Sequence, residues 1–209
     1  MVPGMDKPLP APAAAATSRP IPACLIAGFG ATGKAQAITT LLALRPPAEQ
    51  WALIAPAGGR AAQPSLWLEE VAPGCPCCTG LTPFSTGLTR LLRRLQGQAV
   101  TRLLIEGGPE GHAASVARLL AGSQFSPYVS LTRVVAVLNP LWLANPEAFA
   151  QDALAQLLDS ADALVANPWD ESNSEAHAAL AARAAAYNPP KPWTPLAGLT
   201  PEFAFLSAP

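Results

Sequence analysis

Three thiols, Cys75, Cys77 and Cys78, crowd into the stretch Gly74-Cys75-Pro76-Cys77-Cys78-Thr79. Thiolates this close can share one soft metal ion, with Zn–S contacts near ~2.3 Å. Both Zn²⁺ and Cu(I) suit such ligands, and geometry and availability choose between them. A closed structural zinc site wants a fourth ligand, and no further cysteine or histidine lies nearby. Cys24 sits in the apolar run Ala23-Cys24-Leu25-Ile26-Ala27, and His112 and His177 are remote in sequence. The incomplete set reads as an exchangeable ion, its shell completed by water, Glu69, Glu70 or a partner's thiol. Two rival readings stay open: idle buried cysteines, or redox thiols whose crowding depresses their pKa values. A Cys77–Cys78 disulfide would close a strained ring, since bridged Cα atoms usually lie ~4.4–6.8 Å apart. A thiol cluster on a chain with no visible export signal points to metal or redox chemistry in a reducing compartment.

The second chemical feature is Gly28-Phe29-Gly30-Ala31-Thr32-Gly33-Lys34-Ala35. It follows one apolar run and opens a helical one. As a phosphate loop of the form GxxxxGK[ST], its backbone N–H groups would cradle phosphates and Lys34 would reach the β/γ oxygens. Ala35 then stands where a hydroxyl should hold Mg²⁺. As the dinucleotide fingerprint GxGxxG it is matched by Gly28, Gly30 and Gly33. That template needs an acid at the end of the second strand, which here reads Ile54-Ala55-Pro56-Ala57-Gly58-Gly59. Lys34 directly after the last glycine favours the phosphate loop, and a plain glycine turn is the bland alternative.

Glu106 ends a strand-like run, where a carboxylate can hold a metal-bound water or simply sit in a surface turn. His112 opens a helix, and His177 falls in an Ala-rich helix where a solvated side chain is expected. Arg90, Arg93 and Arg94 read as a wet helix face, and Trp142 and Trp169 as packing residues.

The elements that must position these groups alternate. Short apolar strands are expected at 23–28, 51–55, 103–105, 134–138 and 164–166. Helical spacing appears at 34–45, 84–95, 112–120, 146–158 and 171–187, the last with a cap at Ser172 or Asn173. Residues 58–79 read as irregular. Continuous apolar strands alternating with helices indicate a buried, mostly parallel central sheet in an α/β three-layer sandwich. Ligands of such sheets sit at the carboxyl ends of the strands, and each candidate motif follows a predicted strand. Residues 1–22 read as a disordered Pro/Ala-rich arm, 23–190 as the folded domain and 191–209 as a Pro-rich tail.

Composition limits the function classes. Of 209 residues, 50% are hydrophobic and 13% charged, which suits a globular chain. A formal net charge of −1 offers no basic excess for a phosphate backbone, so nucleic acid is not an expected partner. The apolar runs fall short of the roughly 18 residues of a membrane span, and prolines break any signal-like segment near the N-terminus. The expectation is a cytoplasmic protein with no membrane partner.

Taken together and in this order, the motifs resemble the CobW-like metal-homeostasis GTPases, relatives of the urease and hydrogenase nickel-insertion GTPases, with a P-loop NTPase-like fold. The family's first motif runs roughly GFLGAGKTT, and its GCxCC hallmark is matched by Gly74-Cys75-Pro76-Cys77-Cys78. Where the family has a strand ending E-[ST]-x-G-x-[GA]-x-P, this chain has Glu106-Gly107-Gly108-Pro109-Glu110-Gly111-His112-Ala113, and where it has VVxVVDA, Val134-Val135-Ala136-Val137-Leu138-Asn139-Pro140. The guanine motif NKxD becomes Asn167-Pro168-Trp169-Asp170, and a late "NP" turn is Asn188-Pro189. The resemblance spans about residues 23–190 and implies a member lacking the family's C-terminal domain. It implies GTP and Mg²⁺ at Gly28, Gly30, Gly33, Lys34, Ala35, Asn167 and Asp170, with Glu106 as a catalytic residue. It also implies Zn²⁺ or another thiophilic metal at Cys75, Cys77 and Cys78, and a metal-recipient protein. The departures fall on the nucleotide motifs: Ala35, Gln36, Pro109, Asn139 and Pro168 replace family residues, while the thiol motif is intact. Weak or lost hydrolysis follows, because phosphoryl transfer relies on positioning and on charge stabilisation by lysine and metal. A nucleotide-dead scaffold on the same fold is the alternative function, and a pyridine-nucleotide thiol reductase a more distant one.

Overall fold

The computed structural model describes residues 19–30, 32–58, 66–72, 81–109, 113–145, 147 and 149–205. Seven strands form one sheet: β1 (Ile21–Ala27), β2 (Gln50–Pro56), β3 (Leu66–Val71), β4 (Val100–Glu106), β5 (Val129–Leu138), β6 (Ala163–Ala166) and β7 (Trp193–Pro195). Their spatial order is β3-β2-β4-β1-β5-β6-β7, and every neighbouring pair runs parallel. The expected parallel α/β sandwich is therefore the fold. Central strands buried on both faces need apolar residues at every position. Cys24, Leu25, Ile26 and Ala27 are all buried, as are Val135 to Leu138. Burial pushes the Cys24 thiol pKa far up, so this cysteine packs as a small hydrophobe.

Side-chain alternation along the strands splits the interior into two cores. On one face Leu25, Ile54, Leu103 and Ala136 meet the helices α2 (Leu81–Leu95), α3 (Ala113–Ala121), α5 (Gln151–Ser160) and α6 (Ser174–Ala185). The contacts of α2 come from Leu88, Leu91, Leu92 and Leu95, at helical spacing. A Cβ at Gly87 would strike Val71 Cγ1, so the missing side chain lets α2 close on β3.

The other face is covered by α1 (Lys34–Ala43) through Ala37, Ile38, Leu41 and Leu42, and by the C-terminal segment. The 191–209 stretch, read from sequence as a Pro-rich tail, contributes β7, a 3₁₀ turn at Leu196–Gly198 and the short α7 (Pro201–Ala204). Leu196, Leu199, Ala204 and Phe205 are buried against Trp51 and Leu104. Strand β3, within the stretch read as irregular, and strand β7 are both additions to the sequence reading, one at each edge of the sheet.

A polar cluster closes the sheet's amino-terminal end. Glu49 Oε2 accepts from Trp51 Nε1 at 2.6 Å, Arg102 Nε at 3.0 Å and Thr101 Oγ1 at 3.2 Å. The Arg102 guanidinium lies over the rings of Trp51 and Phe205, 5.5 and 4.9 Å from their centroids. Desolvation raises the Glu49 pKa, but the Trp51 donor, the Arg102 charge and the Thr101 hydroxyl outweigh it and hold the group below its ordinary 4.5. A carboxyl with a depressed folded pKa stabilises above its unfolded pKa and loses that contribution as pH falls through the folded value. The melting-temperature gap between wild type and Glu49→Gln is therefore expected to be full near neutrality and to shrink below about pH 4.5. A gap constant from pH 7 to 3 would rule this linkage out.

Candidate functional site

Strand β1 lies between β4 and β5 and delivers the glycine loop to the carboxyl edge of the sheet. Gly28 packs so closely that a Cβ would lie 2.5 Å from Val137 O and 2.7 Å from Thr32 Oγ1. Gly33 caps α1 with φ +96°, a left-handed conformation that glycine adopts freely. A Cβ there would collide with Asn167 Nδ2. That amide nitrogen donates to Thr32 O at 2.8 Å and so pins the loop to the end of β6.

Lys34 is only 6% exposed and curls back over the loop, its Nζ donating to Gly28 O at 2.9 Å and Gly30 O at 3.0 Å. The first turn of α1 presents its N–H groups at the same place: Ala37 N is bonded to Gly33 O, and the preceding amides have no helical acceptor. An ammonium and a helix N-terminus thus converge on one edge, a combination suited to phosphate. Ala35 follows Lys34 in that first turn and carries no oxygen. The loop after β4 closes from the side, with Gly107 N bonded to Ile26 O at 2.9 Å and Gly30 N to Pro109 O at 2.8 Å.

An aromatic wall supports the loop. Phe29 meets Phe149 at 4.7 Å and Trp142 at 6.2 Å between centroids, and Trp142 stacks on Phe149 at 4.2 Å. Trp142 belongs to α4 (Leu141–Ala144). Trp142 is the packing residue expected, but its partners carry no sequence signal, since the three rings share no periodic spacing.

On the far side of the loop, Asp170 Oδ1 accepts from Ser172 Oγ at 2.7 Å and Ser172 N at 3.0 Å, and these bonds lower its pKa. Asn173 caps α6 by accepting from Ala176 N at 3.0 Å, one of the two caps expected. Trp169 stacks on His177, 3.7 Å between centroids and 2° between planes, with Trp193 beside it at 5.7 Å. Trp169 is the packing residue expected, while His177 is stacked and not the solvated side chain its Ala-rich helix suggested. Of these two sequence-predicted residues, Asn167 is bonded to the loop, while Asp170 is bonded within its own turn.

Glu106 ends β4 in register with Ile26, two residues short of Gly28. At about 3.3 Å per residue this sets its backbone roughly 7 Å behind Gly28 along the strand direction. Cys75, Cys77 and Cys78, together with Ala31 and His112, lie outside the described residues. Among the described residues no three His, Cys, Asp or Glu side chains form a metal-sized group. The tethers of the thiol-bearing stretch are defined. The chain leaves the sheet at Val71, paired with Pro56 at the carboxyl end of β2, and resumes at Leu81. Gly87 packs beside Val71, so the start of α2, six residues earlier, stands roughly 9 Å further along its axis.

Glu69, weighed from sequence as a fourth ligand, is held otherwise. Its Oε1 pairs with Arg90 Nη2 at 2.6 Å and its Oε2 with Arg94 Nη1 at 3.1 Å. Arg90 and Arg94 are thus partly exposed but bonded, and not simply a wet face. Their four-residue spacing aims both at one carboxylate, and that spacing opposite an acid was the signal available. Glu70 Oε1 accepts from Gly58 N at 3.3 Å.

Residues 22–195 match the family model described as CobW/HypB/UreG, nucleotide-binding domain. The chain belongs to this family. It is 33% identical over 163 residues to a protein of Escherichia coli (strain K12) named "Zinc chaperone YeiR", an alignment covering 75% of this chain and 49% of that one. The chain therefore spans about half the length of this relative. Two solved structures share the fold. A zinc-bound triple mutant of the YjiA GTPase superposes with a TM-score of 0.63 at 14% identity, covering 91% of this chain and 62% of that one. The zinc-bound YjiA GTPase from E. coli gives 0.60 at 16% identity, covering 80% and 55%. Among the described residues of this CobW-family chain, no helix is long and apolar enough to cross a membrane.

Proposed function

We propose that this chain is a cytoplasmic metal-handling protein of the metallochaperone type. It takes up Zn²⁺, or another thiophilic ion, on Cys75, Cys77 and Cys78 and passes it to a recipient protein. A guanine nucleotide sits at Gly28, Gly30, Gly33, Lys34 and Ala35, with Asn167 and Asp170 on the base side, and its hydrolysis is slow or absent. The observation that carries the reading is the 33% identity to a zinc chaperone, in a chain that keeps an intact CxCC sequence.

Physical arguments support the division of labour. Three thiolates without a fourth fixed ligand give an open site, which suits transfer better than storage. Glu69, held by Arg90 and Arg94, leaves the thiols as the soft ligands of that stretch. At the loop, Lys34 and the first turn of α1 offer positive charge to phosphates. Glu106 is set back from the loop, which suits a water-holding role better than direct contact. The hydroxyl that would seat Mg²⁺ is absent at Ala35, and Pro109 has no N–H to donate; both weaken hydrolysis.

The test is competitive zinc titration of the full chain under reducing conditions, beside a Cys75→Ser/Cys77→Ser/Cys78→Ser variant. Wild type is expected to take one ion, and the variant to bind at least about 100-fold more weakly. Equal uptake by the two proteins would overturn the assignment.

A further inference from the structure

We propose that the glycine loop takes the pyrophosphate of a nucleoside diphosphate without Mg²⁺ and discriminates against the triphosphate. This rests on the nucleotide reading above and specifies its ligand.

Among the described residues, the donor set of the loop does not fit a magnesium ion. Mg²⁺ demands octahedral oxygen ligands at about 2.0–2.1 Å, and a phosphate loop supplies one from the hydroxyl after its lysine. Ala35 presents a methyl group there. Thr32 carries the other hydroxyl of the described loop, but it is 6% exposed and its Oγ1 is enclosed with no hydrogen-bond partner. That oxygen faces the backbone of Gly28 and not the open edge. Glu106 belongs to β4, paired with Ile26 of β1, and not to the loop itself.

Without a metal, phosphate charge must be met by Lys34 and the N-terminus of α1. A helix N-terminus is equivalent to roughly half a positive charge. One ammonium and one helix end match the charge of a short phosphate chain better than that of a long one. The far end of the loop argues the same way. Gly30 N–H, a donor a phosphate would use, is bonded to Pro109 O at 2.8 Å. A phosphate chain running from α1 toward Gly30 meets a carbonyl oxygen there, on a residue with no N–H of its own. Each further phosphoryl group adds negative charge beside an acceptor and gains no donor among the described residues there.

The two elements that hold the loop do not depend on a ligand. Asn167 Nδ2 is already bonded to Thr32 O, and Lys34 Nζ to two loop carbonyls. Asn167 therefore fixes the loop before the pyrophosphate arrives, which lowers the ordering cost of binding, while Lys34 Nζ exchanges its loop carbonyls for phosphate oxygens.

Calorimetric titration of the full chain with GDP and with the non-hydrolysable triphosphate GMPPNP, each in excess Mg²⁺ and in EDTA, tests this. GDP is expected to bind about tenfold tighter than GMPPNP, and its affinity to change less than about twofold when Mg²⁺ is removed. Ala35→Thr is expected to introduce Mg²⁺ dependence and narrow the gap, and Lys34→Ala to weaken both nucleotides. Equal or tighter GMPPNP binding, or a tenfold gain for wild type with Mg²⁺, would overturn the inference and leave the nucleotide reading standing. Saturable binding of neither nucleotide would overturn both.

Discussion

Gly33→Ala is expected to lower stability by roughly 1.5–3.5 kcal/mol and to abolish nucleotide binding at the loop. Two terms add. Gly33 sits at φ +96°, and a side chain in the left-handed region costs about 1–2 kcal/mol. The new Cβ also displaces Asn167 Nδ2, which breaks its bond to Thr32 O, a further ~0.5–1.5 kcal/mol. At roughly 2–4 °C per kcal/mol for a domain of this size, the melting temperature should fall by about 3–14 °C. Gly97 supplies the control. It has φ +77° and open space around its Cβ position, so Gly97→Ala carries the backbone term alone. Adding Asn167→Ala to Gly33→Ala should recover part of the loss, since the two sites share one contact. If Gly33→Ala and Gly97→Ala destabilise equally in urea unfolding, the Asn167 contact contributes nothing.

Trp51→Ala is expected to be larger still, about 3–5 kcal/mol for truncating a buried aromatic residue. Trp51 has no exposed surface, meets Phe205 edge-on at 5.3 Å between centroids and donates to Glu49. Its removal opens a cavity between β2 and the C-terminal segment. Against a typical total of about 5–15 kcal/mol, that leaves little reserve at 37 °C. Trp51→Phe keeps most of the volume and loses the indole N–H, so about 1–2 kcal/mol is expected. Limited proteolysis should then cut Trp51→Ala, but not wild type, between residues 193 and 205. Protection equal to wild type would mean that Phe205 is held without the indole.

Five of the seven strands were legible as apolar runs because strands β1, β2, β4, β5 and β6 are interior to the sheet. The two that were not legible are its edges. In β3 the run Leu66-Trp67-Leu68-Glu69-Glu70-Val71 looks too charged for a strand, yet an edge tolerates charge and α2 supplies two arginines to Glu69. In β7 the prolines around Trp193 argue against a ladder, but a short edge strand accepts them. The C-terminal hydrophobes Leu196, Leu199 and Phe205 have no regular period, so only the finished sheet gives them a surface to cover. At the site, Gly33 and Lys34 were legible because phosphate-binding chemistry leaves a short, ordered motif, and Asn167 because it opens a second short motif after β6. The Phe29–Phe149–Trp142 wall and the Glu69 clamp were not, because their members come from separate elements.

The strand order has a consequence for biosynthesis. Residues 21–27 emerge first, but their neighbours in the sheet are residues 100–106 and 129–138. At about 5–20 residues per second, the gap from β1 to β5 takes a ribosome roughly 5–20 s. The glycine loop also waits for Asn167, later still. The thiols at 75–78 are therefore translated well before the phosphate cradle can close. A nascent chain passes through an interval in which it presents its soft ligands to the cell with no nucleotide site assembled beside them.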